Sequence, residues 1–160
     1  MKYRATLLVT TDMERTKRFY GEVLGLCIVA DFGANITMTG GISFQTLESW
    51  AGFIGMPEGK IRLEGRAAEL YFEEDDFDGF TARLEKMENI RLVHPVVEHR
   101  WGQRAIRFYD PDGHIIEVGE NMAAVCRRFL AGGMTVEQTA ARMDVPLEMV
   151  QKAQQEQPNT

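Results

Sequence analysis

The sequence predicts an α+β fold: two βαβββ modules that form a shared cleft, followed by a helical C-terminal extension. A strand, a helix and three short strands are predicted over about residues 1–50, and the same order returns over about 66–119. Only helical patterns follow over 120–160. We therefore expect one domain at 1–119, and the composition, 44% hydrophobic and 26% charged, is that of a folded chain.

The first module begins with a predicted strand over residues 4–9 and continues into a helix. The run Thr11-Asp12-Met13-Glu14 fits a capping box, in which Thr11 and Glu14 satisfy each other's backbone amides at the helix start. Apolar residues then recur at three- and four-residue intervals up to Gly25, a natural C-cap. The three strands are expected at 26–31, 34–39 and 42–47.

The second module follows a glycine-rich connection over residues 48–66, which has room for one short helix or strand. Asp75 and Asp76 precede an apolar stripe of helical spacing that ends at Met87, and they are expected to cap that helix. The strands of this module are expected at 68–73, 90–97, 103–109 and 115–119.

The extension is predicted to contain three helices with a spacing like that of a helix-turn-helix. The first ends at Gly132-Gly133, the second starts at a capping box over Thr135–Gln138, and the third starts at Val145-Pro146. We expect the apolar stripes of these helices to pack on the rest of the chain or on a partner subunit.

Charge and cysteine usage narrow the class of protein. A net charge of -6 and a pI near 5.1 argue against nucleic acid as a partner, because phosphate contacts depend on lysine and arginine. Cys27 and Cys126 lie far apart without metal-site spacing, and both are expected to be reduced core thiols. The chain has neither a signal-peptide pattern nor a run of about 18 apolar residues, so we expect a cytoplasmic protein.

Three segments resemble the vicinal-oxygen-chelate superfamily, which includes glyoxalase I, bleomycin-binding proteins, fosfomycin-inactivating enzymes and extradiol dioxygenases. They occur in the superfamily's order and together span residues 4–119, and the third is the most specific. The segments are Asp12–Leu26 with its Phe19-Tyr20 and Leu24-Gly25, Glu69–Asp78, and Trp101-Gly102 followed by Phe108–Glu117.

The resemblance implies four metal-ligand positions, and this chain departs from the usual residues at three of them. The positions fall on Ala5, Gln45, Glu69 and Glu117, of which only Glu117 is the usual residue. Transition metals favour imidazole in such sites, so no transition metal is expected, and no cofactor. An oxygen-only site for Mg²⁺ or Mn²⁺ stays open. Extradiol oxygenation, which needs two histidines and one carboxylate, is disfavoured.

Strand alternation and the resemblance together select candidate site residues. Glu69 and Glu117 are candidate catalytic residues, because two close carboxylates repel and one of them is then expected to hold a proton. Arg107 is expected either to pair with Glu117 or to orient an anionic ligand, and a surface arginine is the alternative. Trp50, Tyr71 and Trp101 are expected to form aromatic walls, with packing in the core as the alternative. The full substrate-binding set is Gln45, Glu69, Tyr71, Trp101, Gln103, Arg107 and Glu117. The histidines His94, His99 and His114 fall outside the ligand positions.

Three functions stay open at this point. The first is a small-molecule-binding protein of the glyoxalase/bleomycin-resistance type, and the second is a lyase or isomerase that uses the cleft carboxylates with or without a divalent metal. The third is a ligand-sensing DNA-binding regulator, but residues 120–160 carry four bases against five acids, a net of -1. The resemblance also implies a homodimer.

Overall fold

The computed structural model describes residues 1–155, and over these residues the chain forms eight strands and six α-helices. The β-α-β-β-β order occurs twice and three helices follow it, which confirms the predicted α+β fold. The elements are β1 Thr6–Thr10, α1 Met13–Leu24, β2 Ile28–Asp31, β3 Asn35–Met38, β4 Ile42–Thr46, α2 Leu47–Ile54, β5 Glu69–Glu74, α3 Phe77–Leu84, β6 Arg91–Glu98, β7 Arg104–Tyr109, β8 Ile115–Glu120, α4 Met122–Ala131, α5 Val136–Met143 and α6 Leu147–Gln155.

The chain divides into two compact units whose boundaries do not follow the order of the sequence. The first unit contains Met1–Glu69 together with Tyr109–Ile115, the turn between β7 and β8. The second unit contains Leu70–Phe108 and Ile116–Thr160. The helical extension therefore belongs to the second unit.

The first unit is built on a mixed four-stranded sheet with the order β1-β4-β3-β2. β1 pairs with β4 in parallel, with Thr6 opposite Ile42, and the other neighbours are antiparallel. On the side of α1, the fully buried ring of Tyr20 packs 4.5 Å from that of Phe44. This aromatic pair is the centre of the unit's core.

The start of α1 corrects one detail of the sequence analysis. The N-cap is Asp12, whose carboxylate accepts a hydrogen bond from the Arg15 amide at 3.0 Å. Thr11 does not act as the cap, because its hydroxyl donates to the carboxylate of Asp112 and accepts from the Arg15 guanidinium. The helix ends as expected at Gly25, which has φ of 67°.

The turn between β7 and β8 is held by the two aspartates of its Asp-Pro-Asp-Gly-His sequence. Asp110 accepts hydrogen bonds from the Tyr20 hydroxyl at 2.9 Å and from the ring and backbone of His114 at 2.8 Å each. Burial alone would raise the pKa of Asp110, but the bonds from His114 and Tyr20 lower it. In the segment that carries the most specific resemblance, the Asp110 side chain therefore stabilises a turn.

Cys27 does not lie in the core, contrary to expectation. It is exposed just before β2, which is an edge strand of the first sheet, whereas Cys126 is buried. An edge strand leaves one side of its backbone and side chains in solvent, which explains the difference.

The second unit is built on a four-stranded sheet with the order β5-β8-β7-β6, and α3 packs on one of its faces. Asp76 caps α3 by accepting from the Gly79 amide at 3.0 Å. The core on this face contains the buried residues Phe77, Phe80, Leu84, Phe108, Ile116 and Val118.

The three helices of the extension bury their apolar stripes mainly against one another. Their core is formed by the buried residues Val125, Cys126, Ala140, Met143, Val150 and Ala153. The capping box of α5 is present, since Thr135 and Gln138 each bond the other's backbone amide. Helix α4 also contacts the second sheet: Arg128 pairs with Glu120 at 2.9 Å, and Phe129 packs against Gly102. None of the helices described over residues 1–155 has the length and apolar character needed to cross a membrane.

Glu120 joins β8 to both its neighbouring strand and the extension. It is 4% exposed and accepts hydrogen bonds from Arg104 on β7 and from Arg128 on α4. Burial alone would raise the pKa of the Glu120 carboxyl, but the bonds from Arg128 and Arg104 lower it from its usual 4.5. Because the folded chain has the lower pKa, the stabilisation is complete above the unfolded value and is lost as the pH falls through the folded value.

Glu120→Gln should therefore lower the free energy of unfolding by about 1–3 kcal/mol at neutral pH, since two guanidinium groups lose a charged acceptor. The difference from the parent chain should shrink as the pH falls below the usual glutamate pKa of 4.5 and through the lower pKa of Glu120 in the folded chain. Urea unfolding followed by circular dichroism at several pH values measures both effects, with the exposed Glu88→Gln as control. A difference that does not change with pH would contradict the assignment.

Candidate functional site

A buried ion pair lies on the face of the second sheet opposite α3. The Glu117 side chain on β8 is 6% exposed, and its Oε2 contacts the guanidinium of Arg107 on β7. The Arg107 side chain keeps 23% of its surface accessible. A buried carboxylate needs such a partner, because an uncompensated charge in the interior is costly.

His94 on β6 joins this pair, although the sequence analysis had set it aside. Its Nε2 lies 3.3 Å from Nη1 of Arg107, and its Nδ1 lies 2.7 Å from the Pro95 carbonyl oxygen. A guanidinium only donates and a carbonyl only accepts, so Nε2 of His94 is the acceptor and Nδ1 carries the proton. The position of His94 depends on the register of β6 against β7, which local patterns do not encode.

Gln103 organises the polar side chains at the other end of the same sheet face. Its Oε1 accepts from Nε1 of Trp101 at 3.1 Å, and its Nε2 donates to the Tyr71 hydroxyl at 2.9 Å and to the Glu120 carbonyl at 3.0 Å. Both amide protons and the carbonyl oxygen are thus engaged, which fixes the orientation of the amide. Gln103 is 4% exposed, so these bonds hold a buried polar group.

The Tyr71 ring stands at the open end of this network. The side chain is 49% exposed, and its hydroxyl donates to Oε1 of Glu73 at 3.0 Å. Partial burial is the largest cause of the raised pKa of Tyr71, opposed by the bond from Gln103 and reinforced by Glu73. A Cβ on Gly119 would lie 2.8 Å from Nε2 of Gln103 and 3.2 Å from the Tyr71 ring. Glycine at this position allows the close approach.

Five residues of the predicted set lie in the second unit, where they form two groups. Tyr71, Trp101 and Gln103 form one hydrogen-bonded group, and Arg107 and Glu117 form an ion pair on the same sheet. Glu69 is exposed at the start of β5, and the partner that the structure gives to Glu117 is Arg107. The proton expected to be shared between Glu69 and Glu117 stays a prediction.

Gln45 lies in the first unit and is tied into that unit's sheet. It is 4% exposed, and its Oε1 accepts from Asn35 at 2.8 Å while its Nε2 donates to Ser49 at 2.7 Å. Thr37 and Ser43 form a second hydrogen-bonded pair on the same face, at 3.0 Å. Trp50 is half-buried on α2 of this unit.

The side chains at the four implied ligand positions do not fit a transition metal. Ala5, just before β1, has no donor atom, and both ends of the Gln45 amide are engaged. Glu117 contacts a guanidinium, whose positive charge opposes a metal cation at the same carboxylate. Glu69 adds one exposed carboxylate and no imidazole. Such a donor set does not match the preferences of zinc, nickel or iron.

Comparison with known proteins identifies relatives over most of the chain. The sequence model described as Glyoxalase-like domain matches residues 3–123. A solved protein of unknown function from Agrobacterium tumefaciens str. C58 is 35% identical, with 76% of this chain and 95% of that chain covered and a TM-score of 0.69. No curated protein matches the sequence.

Two further solved structures share the fold at lower identity. A glyoxalase-related enzyme from Fulvimarina pelagi is 21% identical, with 75% of this chain and 88% of that chain covered and a TM-score of 0.63. The fosfomycin resistance protein FosX from Mesorhizobium loti is 20% identical, with 76% and 92% covered and a TM-score of 0.54. All these alignments leave about a quarter of this chain unmatched.

Arg107→Met should lower the free energy of unfolding by about 3 kcal/mol, because it leaves the Glu117 carboxylate buried without its partner. The double variant Arg107→Met/Glu117→Gln should recover most of this loss, since neither charge is then left alone. Urea unfolding of the two variants measures the coupling, with the exposed Arg18→Met as control. Equal losses in the single and double variants would show that the two side chains do not depend on each other.

Proposed function

The chain belongs to the glyoxalase-like domain family, and from this premise we propose that it is a small-molecule-binding protein whose site includes Glu117, Arg107 and His94. The carrying observation is that the glutamate at the family's usual ligand position is paired with a guanidinium. That pairing leaves a polar, charged anchor on one sheet face, with the accessible Tyr71 ring on the same sheet. A few placed polar groups beside an aromatic surface are typical of ligand sites.

The alternative is a lyase or isomerase in which Glu117 moves a proton. A carboxylate that contacts a guanidinium is stabilised in its charged form and is therefore a weaker base. In metal-assisted enzymes of this kind, a bound metal ion acts as the electrophile that acidifies the substrate. The residues at the implied ligand positions do not fit a transition metal. These two arguments favour the binding protein over the enzyme. The comparisons give no support to the DNA-binding regulator.

We further propose that the protein acts in the cytoplasm as a homodimer. Strand β6 is an edge strand of the second sheet, and its apolar side chains are exposed on both faces. An exposed apolar edge strand of this kind is a suitable surface for a second copy of the chain. The residues concerned are Leu92, Val93, Val96 and Val97.

The purified protein should contain well under about 0.1 equivalents of zinc, nickel or iron per chain, because its donor set lacks imidazole. Elemental analysis of protein prepared without chelators and without a histidine tag measures this content. Near-stoichiometric metal that disappears in Glu117→Gln would contradict the metal-free proposal. It would also favour the lyase or isomerase as the function of the protein.

A thermal-shift screen of small polar and anionic compounds on the full chain tests the binding function. A true ligand at 100 times its Kd should stabilise the protein by about 2.7 kcal/mol. Glu117→Gln should weaken the binding of that ligand by about tenfold, because a charged anchor is lost, whereas the exposed Glu88→Gln should not. Each hit is then assayed for turnover. Turnover that Glu117→Gln abolishes while binding persists would replace the binding protein by the enzyme.

A further inference from the structure

A cavity of about 570 Å³ lies within the second unit, between the turn that joins β6 to β7 and the end of α5. One wall belongs to the glyoxalase-like domain and the other to the helical extension, beyond the residues that the family matches. The cavity is lined by Arg100, Trp101, Ala141, Arg142, Met143 and Asp144.

The turn between β6 and β7, which forms the first wall, is held by hydrogen bonds within itself and to the extension. In the turn, the Gly102 amide donates to the His99 carbonyl at 2.8 Å, and the His99 amide donates to that of Gln103 at 2.9 Å. Gly102 has φ of 89°, and a Cβ there would collide with the ring of Phe129 on α4. The Arg128 guanidinium donates to the Gly102 carbonyl at 2.6 Å. The turn therefore contacts the extension at Gly102, where a residue with a side chain would not fit.

Trp101 is the aromatic side of the cavity. One face of its indole stacks on His99, with ring centroids 4.4 Å apart and an interplanar angle of 10°. Its Nε1 is committed to Gln103, which fixes the rotation of the ring. A fixed, half-buried indole offers a flat surface for a planar ligand at a low cost in conformational entropy.

The second wall adds charge. Asp144 ends α5 in the left-handed conformation, with φ of 58°, and its carboxylate lies 3.7 Å from Arg100. The Arg142 guanidinium lies 3.5 Å from Glu98 and 5.4 Å from the centre of the Phe129 ring. Both ion pairs are long and solvent-exposed, and such pairs contribute little to stability. A ligand anion can therefore replace either carboxylate.

We propose that this cavity binds a planar aromatic carboxylate, with the carboxylate on Arg142 and Arg100 and the ring against Trp101. Guanidinium groups bind carboxylates through directed, charge-assisted hydrogen bonds, and the exposed Ala141 provides an apolar contact for the ring. This site is separate from the proposed function, because it uses neither Glu117 nor Arg107. In this proposal Trp101 lines the cavity beside the extension, and it does not form a wall of the site that contains Glu117.

The chain has two tryptophans, so Trp50→Phe leaves Trp101 as the only indole and makes its fluorescence a direct reporter. Titration of this full-length variant with 4-nitrobenzoate, an aromatic carboxylate that quenches indole, should give saturable quenching, and isothermal calorimetry should give the same Kd. In this background Arg142→Gln should weaken binding by about tenfold, because one charge-assisted contact is lost. Asp144→Asn should tighten binding several-fold, because the competing carboxylate is removed and asparagine tolerates the left-handed backbone.

Arg127→Gln is the matched control, since it removes an arginine of the extension that does not line the cavity. An unchanged Kd in this control, with opposite effects of Arg142→Gln and Asp144→Asn, would support the site. Equal quenching by uncharged 4-nitrobenzamide would overturn it, as would weaker binding in Asp144→Asn. Loss of affinity in Glu117→Gln with unchanged affinity in Arg142→Gln would place the probe at the other site and also overturn the proposal.

Discussion

The second unit depends on one constraint: each buried carboxylate on β8 needs a positively charged partner. Glu117 and Glu120 are three residues apart and therefore project to opposite faces of the sheet, and both are almost fully buried. The neighbouring strand carries Arg107 and Arg104 at the same separation, and each pairs with one glutamate. Arg104 pairs with Glu120 and Arg107 pairs with Glu117, so the residue number increases on β7 as it decreases on β8. This is the pairing of an antiparallel hairpin. A slip of one residue would leave both charges unpaired, so the two ion pairs specify the register.

The two faces then serve different purposes. On one face Arg128 joins Arg104 at Glu120 and couples the first helix of the extension to the sheet. On the other face the Arg107 guanidinium bridges Glu117 and His94, and this changes the chemistry of the family's usual ligand position. At this ligand position, which the family resemblance implies, the glutamate contacts an arginine. A guanidinium of the protein thus compensates this carboxylate, and the proposed binding function rests on that contact.

The extension is more than an appendage to the family domain. Its three helices share a core of their own, but α4 reaches the sheet through Arg128 and Phe129, and α5 forms one wall of a cavity. The contact between Phe129 and Gly102 requires a residue without a side chain in the turn. The turn and the extension are therefore fitted to each other, and one wall of the cavity between them lies beyond the residues that the family model matches.

The sequence by itself determined the elements and their order, because helix and strand periodicity, the Asp76 and Thr135 caps and Gly25 are local signals. It also determined that Arg107 and Glu117 belong to the same sheet, since alternation and the resemblance both place them there. Only the tertiary structure decided the partners across strands. His94 reached Arg107 and Gln103 reached Tyr71 through strand registers that no short pattern encodes. Trp101 lines a cavity with α5, and Cys27 is exposed beside an edge strand, because burial depends on which element packs above a residue.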